Sequence, residues 1–109
     1  MYQIIAHLVY DILMKRYYVI FRGRVQGVGF RYTAQMYAER NNCTGWVRNL
    51  SNGDVDMEIQ GSEADCLKAI RDINNNNSRW IRIDDYFMKE KPVDPSEKRF
   101  RSLYESMYY

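Results

Sequence analysis

The spacing of hydrophobic residues changes along the chain, and each spacing predicts a different element. Residues 17–25, YYVIFRGRV, combine β-branched and aromatic side chains, which favours a central β-strand. Residues 30–42, FRYTAQMYAERNN, predict an amphipathic helix, because their apolar positions recur at helical spacing. The apolar face of this helix carries Phe30, Ala34, Tyr37 and Ala38.

Two strands joined by a tight turn are predicted after this helix. TGWVRNL, residues 44–50, favours a strand, and Ser51, Asn52 and Gly53 form a hairpin-turn signal. DVDMEIQ then alternates strictly, with Val55, Met57 and Ile59 on one face and Asp54, Asp56, Glu58 and Gln60 on the other. This alternation is typical of a half-buried antiparallel strand. We therefore interpret the acidic residues as a solvated face rather than a metal site.

The second half of the chain predicts another helix and two more strands. Ser62 to Asp65 fits a capping box, and the apolar stripe continues through Leu67, Ile70 and Ile73 to the asparagine run 74–77. RWIRIDDYFMKEK (79–91) favours a fourth strand, and KRFRSLYES (98–106) a weaker fifth. We interpret Trp46 and Trp80 as packing residues.

The order of these elements is β-α-β-β-α-β with one extra strand. It predicts an α+β, ferredoxin-like sandwich in which two helices cover one face of an antiparallel sheet. The fold alone does not decide the function.

Residues 1–13 form a separate, apolar segment. Ile5, Leu8, Val9, Ile12 and Leu13 recur at helical spacing, but the segment is too short to span a membrane. Met14 reads as a natural start, so we expect 1–13 to be a loosely attached extension and 14–109 to be the domain. A helix that docks on a partner or a membrane surface is the alternative.

Composition narrows the class of protein. The 109 residues are 46% hydrophobic and 28% charged, which suits one globular domain, and a net charge of +2 does not demand a polyanionic partner. Cys43 and Cys66 match no metal-binding spacing, so we expect reduced, buried thiols in a cytoplasmic protein. His7 is the sole histidine, so we expect chemistry without a histidine base or a histidine-held metal.

A glycine-rich turn is the strongest local candidate for a site. GRVQGVGFR, from Gly23 to Arg31, lies between the first predicted strand and helix. Backbone N–H groups in a helix's first turn lack intrahelical partners, and glycines let them converge on an anion. Arg31 adds a planar cationic fork that suits phosphate oxygens. The alternative is a turn whose glycines are needed only for its geometry, with a solvated arginine. The spacing of the glycines matches neither the P-loop nor the dinucleotide-binding fingerprint.

Two motifs give this segment a specific resemblance. G-x-V-Q-G-V-x-F-R at Gly23–Arg31 and G-W-V-x-N-x-x-x-G at Gly45–Gly53 resemble the two signatures of the acylphosphatase family. The resemblance implies hydrolysis of a carboxyl-phosphate anhydride to a carboxylate and inorganic phosphate, without a metal or other cofactor. Leu50 stands where some relatives carry a hydroxyl side chain.

The resemblance also implies a role for individual residues. Arg31 matches the substrate-binding arginine and Asn49 the water-orienting asparagine. The implied phosphate-binding loop supplies backbone N–H groups from Gln26, Gly27, Val28, Gly29 and Phe30. From its position alone, Asn49 is more simply read as a polar residue at a strand end. Arg22, Arg24 and Arg48 could steer anionic substrates or simply be solvated.

Two rival functions are compatible with parts of the sequence. GVGFRY superficially resembles the signature of an RNA-binding module, but here it lies at a turn rather than on a central strand. A domain that binds an acyl phosphate without hydrolysing it is the second rival, and the presence of both Arg31 and Asn49 argues against it. We expect a monomer that acts on a small acyl phosphate and binds neither nucleic acid nor membrane.

Overall fold

The computed structural model describes residues 13–103 of the chain, so residues 1–12 of the predicted extension lie outside it. Its elements follow the predicted order. They are β1 (Met14–Arg24), α1 (Phe30–Arg40), β2 (Thr44–Asn49), β3 (Val55–Ser62), α2 (Glu63–Asn74), β4 (Arg82–Lys91) and β5 (Phe100–Leu103).

The five strands form one sheet in the order β4-β1-β3-β2-β5. The first four strands pair antiparallel, as predicted: β1 with β3 and β4, and β2 with β3. β5 instead runs parallel to β2, which makes the sheet mixed. The ferredoxin-like α+β class is confirmed. None of the helices in residues 13–103 has the length and apolarity needed to cross a membrane.

Both helices share one core with the inner face of the sheet. The predicted apolar faces are confirmed: Val55, Met57 and Ile59 of β3 are fully buried, and Phe30, Ala34 and Ala38 of α1 are buried with them. Ser62 caps α2 as predicted, since its Oγ accepts a hydrogen bond from the Asp65 N–H at 3.1 Å. The core therefore holds α1 and the ends of β1 and β2 in fixed relative positions.

The prediction of a solvated acidic face on β3 is wrong. Asp56 is fully buried, and Arg48 and the Tyr18 hydroxyl both donate to it at 2.8 and 2.9 Å. Burial, together with that hydrogen bond, raises the pKa of Tyr18 to about 12. Neighbouring strands supply the partners that make burial of a carboxylate tolerable.

A loop covers the rest of this outer face. Arg16 is only 4% exposed, contacts Glu58, and donates two hydrogen bonds to Glu97 of the β4–β5 loop at 2.8 and 3.1 Å. Gln60 exchanges two hydrogen bonds with the backbone of Asp94 in the same loop. Because this polar layer lies over β3, both faces of the strand are shielded from solvent.

The two tryptophans differ from each other. Trp46 is half-buried, and the Arg48 guanidinium lies 5.1 Å from its ring centroid. Trp80 is 61% exposed, so its interpretation as a packing residue is wrong. It lies two residues before β4, an edge strand of the sheet, where few neighbouring side chains can cover it.

Candidate active site

A cavity of about 360 Å³ opens where α1 begins, beside the ends of β1, β2 and β5. It brings together residues from both sequence motifs. Its lining consists of Val25, Gly27, Gly29, Phe30, Arg31, Tyr32, Gln35, Asn49 and Ser102. The structure thus places Arg31 and Asn49, the two predicted catalytic residues, on the wall of one cavity.

The start of α1 is open to this cavity. Gly29 is the N-cap residue with φ 78°, a left-handed conformation that favours glycine, and it supplies no side-chain cap. The first intrahelical hydrogen bond runs from Thr33 N–H to the Gly29 carbonyl, so the N–H groups before Thr33 have no acceptor within the helix. The first turn contains no acidic residue, which leaves the positive end of the helix dipole uncompensated by its own side chains.

The first glycine of the motif has a different task. At Gly23 the pairing of β1 with β4 is irregular, and a Cβ would lie 2.1 Å from the Arg82 carbonyl oxygen. A larger residue would therefore push the two strands apart. Gly23 thus allows β1 and β4 to approach closely, whereas Gly27 and Gly29 line the cavity.

Arg31 is held at the cavity wall from the far end of the chain. Its Nη1 donates a hydrogen bond to the Leu103 carbonyl at 2.8 Å. β5 can supply this acceptor because it pairs with β2, with Leu103 opposite Arg48. The contact orients the guanidinium, and Ser102 lines the same cavity.

Asn49 is the last residue of β2, and one of its atoms lacks a partner. The amide Oδ1 is buried and accepts no hydrogen bond from any residue in the described part of the chain. Leaving a buried polar atom unsatisfied costs about 1–3 kcal/mol. An amide kept in this position is suited to accept a hydrogen bond from a bound molecule.

Gln26 ties the two motifs together. Its Nε2 donates to the carbonyls of Leu50 and Asp54, at 2.6 and 2.7 Å. Leu50 directly follows Asn49, so this side chain fixes the glycine loop against the turn that follows the asparagine. Gln26 therefore holds the loop through its side chain, a role that the sequence did not indicate.

The remaining loop residues divide between cavity and core. Phe30 is buried, with its ring centroid 5.0 Å from that of Phe21, and also reaches the cavity wall. Val28 packs against the hydrophobic core. These contacts anchor the loop whose backbone was predicted to bind phosphate.

The neighbouring arginines have separate positions. Arg48 points to the outer face of the sheet, where it binds Asp56, and Arg22 lies 3.5 Å from Asp54. Arg24 is exposed. The cavity is also lined by four residues that the motifs did not indicate as site residues, Val25, Tyr32, Gln35 and Ser102. Gln35, four residues after Arg31, could have been indicated by helical spacing, whereas Ser102 carries no local signal.

Within residues 13–103, no three acidic, cysteine or histidine side chains come together as ligands for a metal ion. The polar groups at the cavity are a guanidinium, two amides, two hydroxyls and backbone N–H groups. This set of groups is suited to binding an oxygen-rich anion.

Comparison with known proteins places these residues in a family. A family model described as Acylphosphatase matches residues 17–102. An acylphosphatase from Geobacillus thermodenitrificans is 41% identical over 91 residues, covering 84% of this chain and 96% of the relative. One from Clostridium beijerinckii is 42% identical over 91 residues, covering 84% of this chain and the whole relative.

A solved structure agrees with the sequence relatives. The crystal structure of acylphosphatase from Bacillus subtilis has a TM-score of 0.77 and 33% sequence identity. The match covers 83% of this chain and 99% of that one. The similarity therefore extends across sequence and fold together.

Proposed function

This chain belongs to the acylphosphatase family and hydrolyses acyl phosphates, and we propose that the cavity beside Arg31 is where it does so. Arg31 and the N–H groups of Gly27 to Phe30 bind the phosphate. Phosphoryl transfer passes through a loose transition state with charge on the non-bridging oxygens, where positioning and charge stabilisation dominate. The guanidinium and the open start of α1 supply that stabilisation.

Asn49 orients the attacking water. Its buried Oδ1 accepts a hydrogen bond from that water and directs the lone pair on the water oxygen at phosphorus. As the new P–O bond forms, the bond from phosphorus to the acyl oxygen breaks, and its electron pair leaves with the carboxylate. The protons of the water pass to phosphate and solvent. A neutral amide performs this task without repelling the phosphate.

The leaving group explains how the reaction proceeds without a histidine. A departing carboxylate has a conjugate acid of pKa about 4, so it leaves as an anion and gains little from a general acid. The proposed mechanism uses no metal ion, because Arg31 and the backbone donors carry the charge stabilisation.

One observation carries this proposal. Arg31 of α1 and Asn49 of β2, which come from different motifs, line a single cavity together with Gly27 and Gly29. A module that stacks RNA bases would instead use aromatic residues on the central strands. The outer face of β3, a central strand, carries Asp56 and Glu58 in ion pairs.

The test is hydrolysis of benzoyl phosphate by the full-length protein in excess EDTA. We expect Arg31→Ala to lower kcat/KM on the order of 10³-fold and Asn49→Ala on the order of 10²-fold, with folding intact. Arg24→Ala is the matched control, since it removes an exposed arginine of the same segment that does not line the cavity. Turnover that survives both cavity substitutions, or that EDTA abolishes, would overturn the proposed mechanism.

The cysteines support a cytoplasmic location. Cys43 and Cys66 are both buried and free, as expected from the sequence. The hydrogen bond with Cys66 and burial raise the pKa of the Cys43 thiol, so it stays protonated. Reduced neighbouring thiols are typical of a reducing compartment. We retain the cytoplasm and the monomeric state as parts of the proposal.

A further inference from the structure

A second cavity adjoins the candidate active site along α1. It has a volume of about 380 Å³ and is lined by Tyr32, Gln35, Met36, Glu39 and Arg40. Tyr32 and Gln35 belong to both cavities, so the two form one continuous groove. A substrate whose phosphate lies beside Arg31 therefore has room to extend along the outer surface of the helix.

Tyr32 and Met36 provide the apolar surface of this groove. They are one helical turn apart, so their side chains lie on the same stripe of α1. Tyr32 is 75% exposed although it directly follows Arg31. Its ring is thus available for contact, and the flexible Met36 thioether can adapt to groups of different shape.

The two charged groups in the groove, Glu39 and Arg40, each have a partner on α1 itself. Gln35 Nε2 donates to Glu39 at 3.5 Å, and the Arg40 guanidinium lies 5.9 Å from the Tyr37 ring centroid. The surface left for a ligand is mainly an aromatic ring and a thioether. This chemistry favours an apolar group over a charged one.

A different branch of the cavity is less suited to the acyl group. It runs between α1 and β5, and its lining includes Arg99 and Arg101. β5 is hydrogen-bonded to β2, the strand that carries Asn49, so this branch lies on the side of the attacking water. In-line displacement places the leaving group away from that water. The α1 groove is therefore the better path for the acyl group.

We propose that the groove formed by Tyr32, Gln35 and Met36 is an acyl-binding subsite that favours acyl phosphates with an aromatic or larger apolar acyl group. This assignment rests on the proposed active site, because the phosphate must lie beside Arg31. Tyr32 acts on specificity by stacking against the acyl group. The phosphate-binding groups provide the rate acceleration that all substrates share.

The test compares benzoyl phosphate with acetyl phosphate, whose methyl group is too small to cover the Tyr32 ring. In Tyr32→Ala we expect kcat/KM for benzoyl phosphate to fall about threefold to tenfold, mainly through KM. Acetyl phosphate should keep its constants within about twofold. Tyr32→Phe should retain the wild-type preference, and Met36→Ala should lower it less. Tyr86→Ala, an exposed tyrosine on β4, is the matched control.

Two results would overturn the subsite. One is an unchanged ratio of benzoyl to acetyl phosphate kcat/KM in Tyr32→Ala. The other is an equal loss of preference in Arg101→Ala, which would place the acyl group in the β5 branch. Failure of the active-site assignment itself gives a different result, since Arg31→Ala would then still hydrolyse both substrates.

Discussion

The two helices begin in opposite ways. At α2, the Ser62 hydroxyl caps the Asp65 N–H, and Glu63 and Asp65 place negative charge in the first turn. At α1, the N-cap is a glycine without a side chain, the first turn has no acidic residue, and an arginine follows. Both helices belong to one fold and have nearly equal lengths, 11 and 12 residues.

This difference separates a terminus that stabilises the fold from one that, in the proposed site, binds a ligand. The protein satisfies the start of α2 with its own groups, which stabilises the helix whether or not a substrate is bound. The start of α1 forgoes that stabilisation and opens into the cavity instead. An anion can then supply both the hydrogen-bond acceptors and the negative charge that α1 lacks.

Adding a carboxylate to α1 should remove this difference and produce the largest effect. In Gly29→Asp, the carboxylate would lie at the open helix start and compete with the phosphate for the same N–H groups. We expect kcat/KM for benzoyl phosphate to fall on the order of 10²–10³-fold, with inorganic phosphate becoming a much weaker inhibitor.

Gly29→Asn is the matched control for that substitution. Asparagine has the same shape without the charge and tolerates the left-handed conformation. A Cβ at Gly29 would meet no atom within 4 Å, so both variants should fold. We expect the asparagine variant to stay within about tenfold of wild type. Equal losses in the two variants would show that backbone strain, not charge, limits the reaction.

The sequence predicts the parts of this comparison that depend on local pattern. Glycine spacing and the capping box of Ser62 to Asp65 indicate how each helix starts, and periodicity indicates the core faces. The prediction from local pattern is wrong at Asp56, because a polar residue at an alternating strand position is ordinarily solvated. The partners that bury this carboxylate, Tyr18 and Arg48, come from other strands. Such long-range pairs leave no signal in the local pattern.

The same limit applies within the candidate site. The motifs indicate Arg31 and Asn49, but the carbonyl that orients Arg31 belongs to Leu103, at the other end of the described chain. Gln26 was predicted to contribute only its backbone N–H, whereas its side chain joins both motifs. It is therefore easier to predict the candidate catalytic groups from sequence than to predict the groups that hold them in position.

Two glutamines allow a sharper test, because each holds a loop close to one helix start. Gln26 binds the Leu50 and Asp54 carbonyls ahead of α1, and Gln60 binds the Asp94 backbone ahead of α2. In Gln26→Met we expect kcat to fall roughly tenfold, since a small displacement of Asn49 misdirects the water.

Gln60→Met should show the complementary result. It loses hydrogen bonds on the outer face of the sheet, so we expect the free energy of unfolding to fall by about 1–3 kcal/mol with kcat unchanged. Urea denaturation and steady-state kinetics on both variants measure the two effects separately. A loss of kcat in Gln60→Met as large as in Gln26→Met would mean that general loosening, rather than the position of Asn49, slows the reaction.

Removing the cap of α2 should affect catalysis least. Ser62→Ala deletes the acceptor for the Asp65 N–H, and we expect the free energy of unfolding to fall by about 1 kcal/mol. Ser62→Asp should retain most of the stability, because aspartate also caps helices and suits the positive end of the dipole.

Neither variant should change kcat/KM, since α2 contributes no residue to the cavity lining. A helix start with its own cap then affects stability and not the reaction, whereas the uncapped start of α1 affects the reaction. If Ser62→Ala slowed hydrolysis while still folded, the two termini would be coupled through the core and this division of roles would be wrong.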